Sequence, residues 1–257
     1  MARLKPWFHV VTPREDLREG RPLDASEFAV HLDHIRAGRA PKDYQEPERF
    51  FERTYLTNNL ADLDAQTVRR LSGIAVETSA VFDLATQFGG GKTHALTLLY
   101  HLAAAGPASH RWRGVNRILE CAEVSSVPQA EGIAIFVGTE FDSVTGRGGE
   151  GGEPLRRTPW GEVAWQLGGE RAFVQVARHD EQGTAPAGDV IRAFLPDGPT
   201  LILLDELMNY VSRNRRSGLA TQLYNFLQNL SEEARARNNV VLAVSIPASE
   251  LEMNQDD

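Results

Sequence analysis

Apolar positions recur at two spacings along this chain, and the change of spacing separates predicted helices from predicted strands. Over residues 14–40, Phe28, Leu32 and Ile35 fall on one helical face, and Gly38 and Pro41 close the segment. Residues 47–71 predict a second helical stretch or pair, carrying Phe50, Phe51, Tyr55 and Leu56, then Leu60, Leu63, Val68 and Leu71. Beyond this point come short apolar runs: Ala80–Ala85, Gly132–Gly138, Leu201–Leu204 and Asn239–Ile246. Such runs predict parallel strands covered on both faces. Helical patterns separate them, at 93–105, 160–167, 189–195 and 219–236. The expectation is an α/β fold, a mainly parallel sheet flanked by helices, with a helical segment over 1–75 and the sheet core over 76–257.

The first strand feeds Thr86-Gln87-Phe88-Gly89-Gly90-Gly91-Lys92-Thr93-His94. A phosphate-binding P-loop reads Gly, four residues, then Gly-Lys-Ser/Thr. Gly91-Lys92-Thr93 fits this pattern, and Thr86 stands where the first glycine belongs. Three consecutive glycines let backbone N–H groups approach phosphate oxygens. Lys92 is expected to reach the β- and γ-phosphates, and the Thr93 hydroxyl to ligate Mg²⁺. The predicted helix that follows, with Leu96, Leu99 and Leu102 on one side, aims its positive end at the anion. A plain glycine turn is the competing reading.

Far downstream, Leu201–Leu204 ends in Asp205-Glu206. Open α/β sheets place ligands at the carboxyl ends of their strands. Asp205 is therefore expected to hold Mg²⁺ through its water shell, and Glu206 to orient the attacking water. A strand followed by a helix with an acidic first turn would look the same. Ser245, at the end of the last strand, can hydrogen-bond the γ-phosphate or that water.

Other features contribute less. Thr139-Glu140 ends the second strand, a place for sensing or substrate contact. The glycine-dense Gly146–Gly152 stretch predicts a loop. Arg213, Arg215 and Arg216 cluster in a predicted loop, either solvated or supplied to a neighbouring subunit's phosphate or to a nucleic-acid backbone. His31 and His34 stand three apart with no further ligand to complete a metal set.

Composition narrows the class. At 257 residues, 42% hydrophobic and 24% charged, the chain suits a packed core. A net charge of −8 argues against a surface that coats nucleic acid. The single cysteine, Cys121, excludes an internal disulfide, fits a reducing cytoplasm and reads as an ordinary half-buried residue. No apolar leader opens the chain, and no run nears the roughly 18 apolar residues of a membrane span.

With these residues placed, the sequence resembles the DUF499 family of prokaryotic P-loop ATPases, relatives of the AAA+ class. The resemblance rests on Thr12–Asp16, Glu27–Ala29, Phe50–Thr57, Thr86–His94, Thr158–Leu167 and Leu204–Leu207. The family loop also carries a polar residue where the first glycine is expected. The resemblance implies that Lys92 and Thr93 bind phosphate and Mg²⁺, that Asp205 and Glu206 form the Walker B pair, and that Ser245 occupies the sensor-1 position. It further implies a homo-oligomer and partners that are DNA or DNA-modifying proteins, because members often accompany methylases or helicases in mobile and phage-defence gene clusters. Members are usually longer, and the fifth strand and lid helices of an AAA+ module are not expected within these residues. Two functions follow: an Mg²⁺-dependent ATPase that remodels a DNA-associated complex, or a module gated by ATP without turning it over. A small-molecule kinase is the third. No guanine-reading Asn-Lys-x-Asp pattern occurs, which favours ATP.

Overall fold

The computed structural model describes residues 5–13, 18–20, 30–86 and 91–247. Gln87, Phe88, Gly89 and Gly90 lie outside the described residues, as do residues 14–17 and 21–29 of the helix predicted over 14–40. Of that helix, α1 (Leu32–Arg36) is described, followed by α2 (Lys42–Gln45), α3 (Pro47–Arg53) and α4 (Asn58–Leu71). The region 47–71 is thus a pair of helices, and Thr57 separates them as the N-cap of α4, its hydroxyl accepting from the Leu60 amide. Then come β1 (Val81–Thr86), α5 (Lys92–Ala105), α6 (Val115–Ala122) and β2 (Gly132–Val137). The remainder is α7 (Pro159–Gln182), α8 (Gly188–Phe194), β3 (Thr200–Asp205), α9 (Leu207–Asn214), α10 (Leu219–Ala236) and β4 (Val240–Pro247).

The four strands form one parallel sheet in the order β1-β4-β3-β2. Alternation along the strands divides the core. Phe136, Ile202, Leu204, Leu242 and Val244 face one side, against α7, α8, α9 and α10. Ile135, Leu201, Leu203, Val241 and Ala243 face the other, together with Leu96 and Leu99 of α5 and with Leu32, Ile35 and Leu71 from the N-terminal helices. Every residue of β3 is buried, which is why its sequence shows no polar alternation. Each fully buried leucine here contributes roughly 1.5–3 kcal/mol.

Three elements exceed the sequence reading. Helix α6 carries Val115, Ile118, Leu119 and Ala122 inward, a helical stripe present in the sequence but not read there. Helix α7 continues past the predicted end at Leu167, resuming after Gly168 and Gly169; Gly169 takes φ 60, ψ −145, a conformation open only to glycine. Helix α9 extends to Asn214 and takes in Arg213, which was expected to lie in a loop.

Two buried polar groups on the α4–α5 side are unusual. The Asp64 carboxyl is fully buried with no hydrogen-bond partner among the described residues, and burial pushes its pKa well above the ordinary carboxylate value. The imidazole of His101 is buried against Phe50 and donates through Nε2 to the Tyr44 carbonyl at 2.8 Å.

Candidate functional site

Helix α5 begins where the predicted phosphate loop ends. Its N-cap is Gly91, at φ 74 and ψ 21, a left-handed conformation that glycine adopts without steric cost. Lys92 and Thr93 therefore open the first turn, where backbone N–H groups have no partner within the helix. The Thr93 hydroxyl donates to Asp205 Oδ2 at 2.8 Å, across 112 positions of sequence. Asp205 is 1% exposed. A buried carboxylate needs compensating donors. Its second oxygen has one in the amide of Glu206, at 3.0 Å.

Glu206 links β3 to α9 with φ 54 and ψ 35. That conformation costs a non-glycine residue roughly 1–2 kcal/mol, so neighbours must enforce it. Gly138, just past β2, is pressed against it: a Cβ at 138 would come within 2.2 Å of the Glu206 carbonyl oxygen. The Gly138 amide also donates to the Asp205 carbonyl at 2.8 Å. The Glu206 carboxylate accepts from Asn209 Nδ2 at 3.0 Å, one turn into α9.

The neighbouring strand adds Ser245. It pairs with Leu84 of β1, and it follows Val244, the partner of Leu204, so it lies level with Asp205. Ser245 is buried. The structure thus brings Thr93, Asp205, Glu206 and Ser245 to the carboxyl ends of three adjacent strands, with Lys92 beside them in the first turn of α5. Thr86 ends β1 in register with Pro247.

A family model described as the DUF499 N-terminal domain matches residues 9–256. The chain belongs to the DUF499 family. Neither curated proteins nor solved structures gave a match. The matched span of this DUF499 domain contains every residue of the site just described.

His94, also in the first turns of α5, ties the DUF499 core to the N-terminal helices. Its Nε2 lies 3.0 Å from Thr54 Oγ1. Thr54 already donates its one hydroxyl hydrogen to the Phe50 carbonyl at 2.8 Å, so His94 Nε2 is the donor. The ring packs 4.6 Å from Phe50, and burial lowers its pKa. This geometry places His94 in packing between helices, a role its position in the loop motif did not reveal.

Arg213 is not in a loop: it lies in the last turn of α9. Its guanidinium donates to the carbonyls of Gly138 and Phe141 in its own chain. It braces the turn that presses on Glu206. Arg215 and Arg216 are exposed in the turn that follows.

The remaining candidates resolve more simply. Glu140 faces His31 Nδ1 and His34 Nε2, each at 3.8 Å, while Arg147 reaches the Glu140 carbonyl and pairs with Asp33 at 2.8 Å. These contacts link the end of β2 to α1. Among the described residues no three His, Cys, Asp or Glu side chains are grouped to hold a metal. Arg147, in the predicted loop, pairs with Arg156 beyond it as an antiparallel bridge. Cys121 is exposed rather than half-buried. Among the described residues, no helix is long and apolar enough to cross a membrane.

Proposed function

We propose that this domain binds Mg·ATP at the carboxyl ends of β1, β4 and β3 and hydrolyses it, as a P-loop NTPase of the AAA+ type. The observation that carries this reading is the 2.8 Å bond from Thr93 to Asp205. It joins the two groups that the sequence assigns to one metal, although they are remote in the chain. Both are hard oxygen donors of the kind Mg²⁺ takes, and a site using one or two protein oxygens plus phosphate suits that ion. When bound, Mg²⁺ would neutralise charge on the β- and γ-phosphates.

The chain's own residues have separate tasks in this reading. Lys92 sets a positive charge against the phosphates at the start of α5. Glu206 accepts a hydrogen bond from the attacking water and takes its proton as the bond to the leaving diphosphate breaks. Ser245 offers a hydroxyl from the strand between. Asn209 holds the Glu206 carboxylate, and that contact favours a second reading, in which the domain senses ATP without turning it over. On the family resemblance, turnover would drive remodelling of a DNA-associated complex in a homo-oligomer.

Glu206→Gln separates the two readings. The variant should retain Mg·ATP binding and lose roughly a hundredfold or more of the hydrolysis rate, measured as phosphate release. Turnover equal to wild type would remove Glu206 as the base. Wild-type binding with no turnover would select the sensing module.

A further inference from the structure

Strand β2 closes the sheet on the side away from β1, and among the described residues it pairs only with β3. The amides of Gly132 and Gly138 both point toward β3, donating to the carbonyls of Pro199 and Asp205. Alternation along the strand therefore turns the N–H and C=O of Ile135 outward. There they meet a side chain instead of a strand. The Ile135 amide donates to Gln166 Oε1 at 2.6 Å, and Gln166 Nε2 donates to the Ile135 carbonyl at 2.8 Å. These are the two bonds that one residue of an antiparallel neighbour would make. Gln166 lies on α7, in the Thr158–Leu167 stretch that the site at the strand ends leaves unused.

The rest of that stretch fixes the carboxamide. Gln166 Nε2 also donates to Glu162 Oε1 at 2.6 Å, one turn earlier on α7. Glu162 is 2% exposed, and its Oε2 accepts from Arg156 Nε at 2.8 Å. Arg147 and Arg36 stand 3.6 and 3.8 Å from Oε1. These cations compensate a buried carboxylate, and through it they tie Gln166 to α1 and to the loop before α7. Thr158 starts α7 as its N-cap, accepting from the Gly161 amide at 3.1 Å. An open strand edge is a template for another chain, and proteins blunt such edges. β2 would be a strong template, because Gly-Ile-Ala-Ile-Phe-Val holds no charge and no proline.

We propose that Glu162 and Gln166 form an edge lock: the carboxamide stands in for a fifth strand and keeps a second copy of this chain from pairing its β2 there. A two-fold axis would set two β2 strands antiparallel, each offering the bonds that Gln166 now takes. The lock uses none of the residues of the proposed nucleotide site.

The test joins amide hydrogen exchange with sedimentation of the whole chain. In wild type the Ile135 amide should exchange within about tenfold of the Ala134 and Phe136 amides, which face β3. In Gln166→Leu, checked for a cooperative melt, it should exchange about tenfold faster at low concentration, the scale of one lost hydrogen bond. As that variant is concentrated, protection should return while a species of doubled mass appears. Adding Ile133→Lys, a charge on the edge strand, should abolish that species. Unchanged Ile135 exchange in Gln166→Leu would overturn the lock. So would faster exchange with wild-type sedimentation at every concentration, or a doubled species that survives Ile133→Lys. Should Gln166→Leu fail to fold, wild type alone decides: an Ile135 amide exchanging roughly a hundredfold faster than its two neighbours would overturn the lock.

Discussion

At the scale of single residues, the clearest physical consequence lies in His101. Burial pulls its pKa down from 6.5 to about 4, the Tyr44 carbonyl opposing this only in part. The unfolded chain therefore takes up a proton first as pH falls. Stability from the neutral ring is present above pH 6.5 and is lost as pH drops toward 4. Asp64 acts in the opposite sense, since its raised pKa favours the folded state in acid and loses that contribution as pH rises. The two are separated by changing one at a time. Urea unfolding of His101→Gln across pH 4–6.5 should show a shallower loss of stability toward acid than wild type; parallel curves would rule out this role. Neither residue could have been singled out from sequence, because a histidine or aspartate in a helical pattern gives no sign of whether its partners are present. The placement of Lys92, Thr93, Asp205 and Glu206 at the ends of strands was legible, because the apolar runs that lead to them are.

Among the elements, the turn between β3 and α9 is held in an unfavourable conformation by what surrounds it. Gly138 fits beneath the Glu206 carbonyl, and Arg213 clamps the Gly138 and Phe141 carbonyls from α9. Gly138→Ala should lower stability by about 1–3 kcal/mol, as overpacking does, read as a lower urea midpoint, and should displace Glu206 so that phosphate release falls as well. A variant with wild-type midpoint and rate would show that the packing does not constrain Glu206. The strands and helix α10 matched their apolar patterns almost residue for residue. Helix α9 stood in the sequence only as the competing reading of Asp205-Glu206, because eight residues with Leu207 and Tyr210 buried give too short a stripe. Its last turn takes in Arg213, which the sequence reading left in a loop.

Across the whole molecule, parallel pairing does what the sequence order alone cannot. β4 inserts between β1 and β3, so Ser245 comes to stand between the strand that leads to Lys92 and the strand that ends at Asp205. The α/β class followed from the apolar runs, and membership of the DUF499 family followed from the motifs along them. The central claim is that the convergence of Lys92, Thr93 and Asp205 makes a nucleotide site. Its most direct test is calorimetric titration of Mg·ATP into the 257-residue chain and into Lys92→Ala. Saturable binding by wild type that is lost in the variant is the predicted result. Binding of equal strength by both, or by neither, would contradict it.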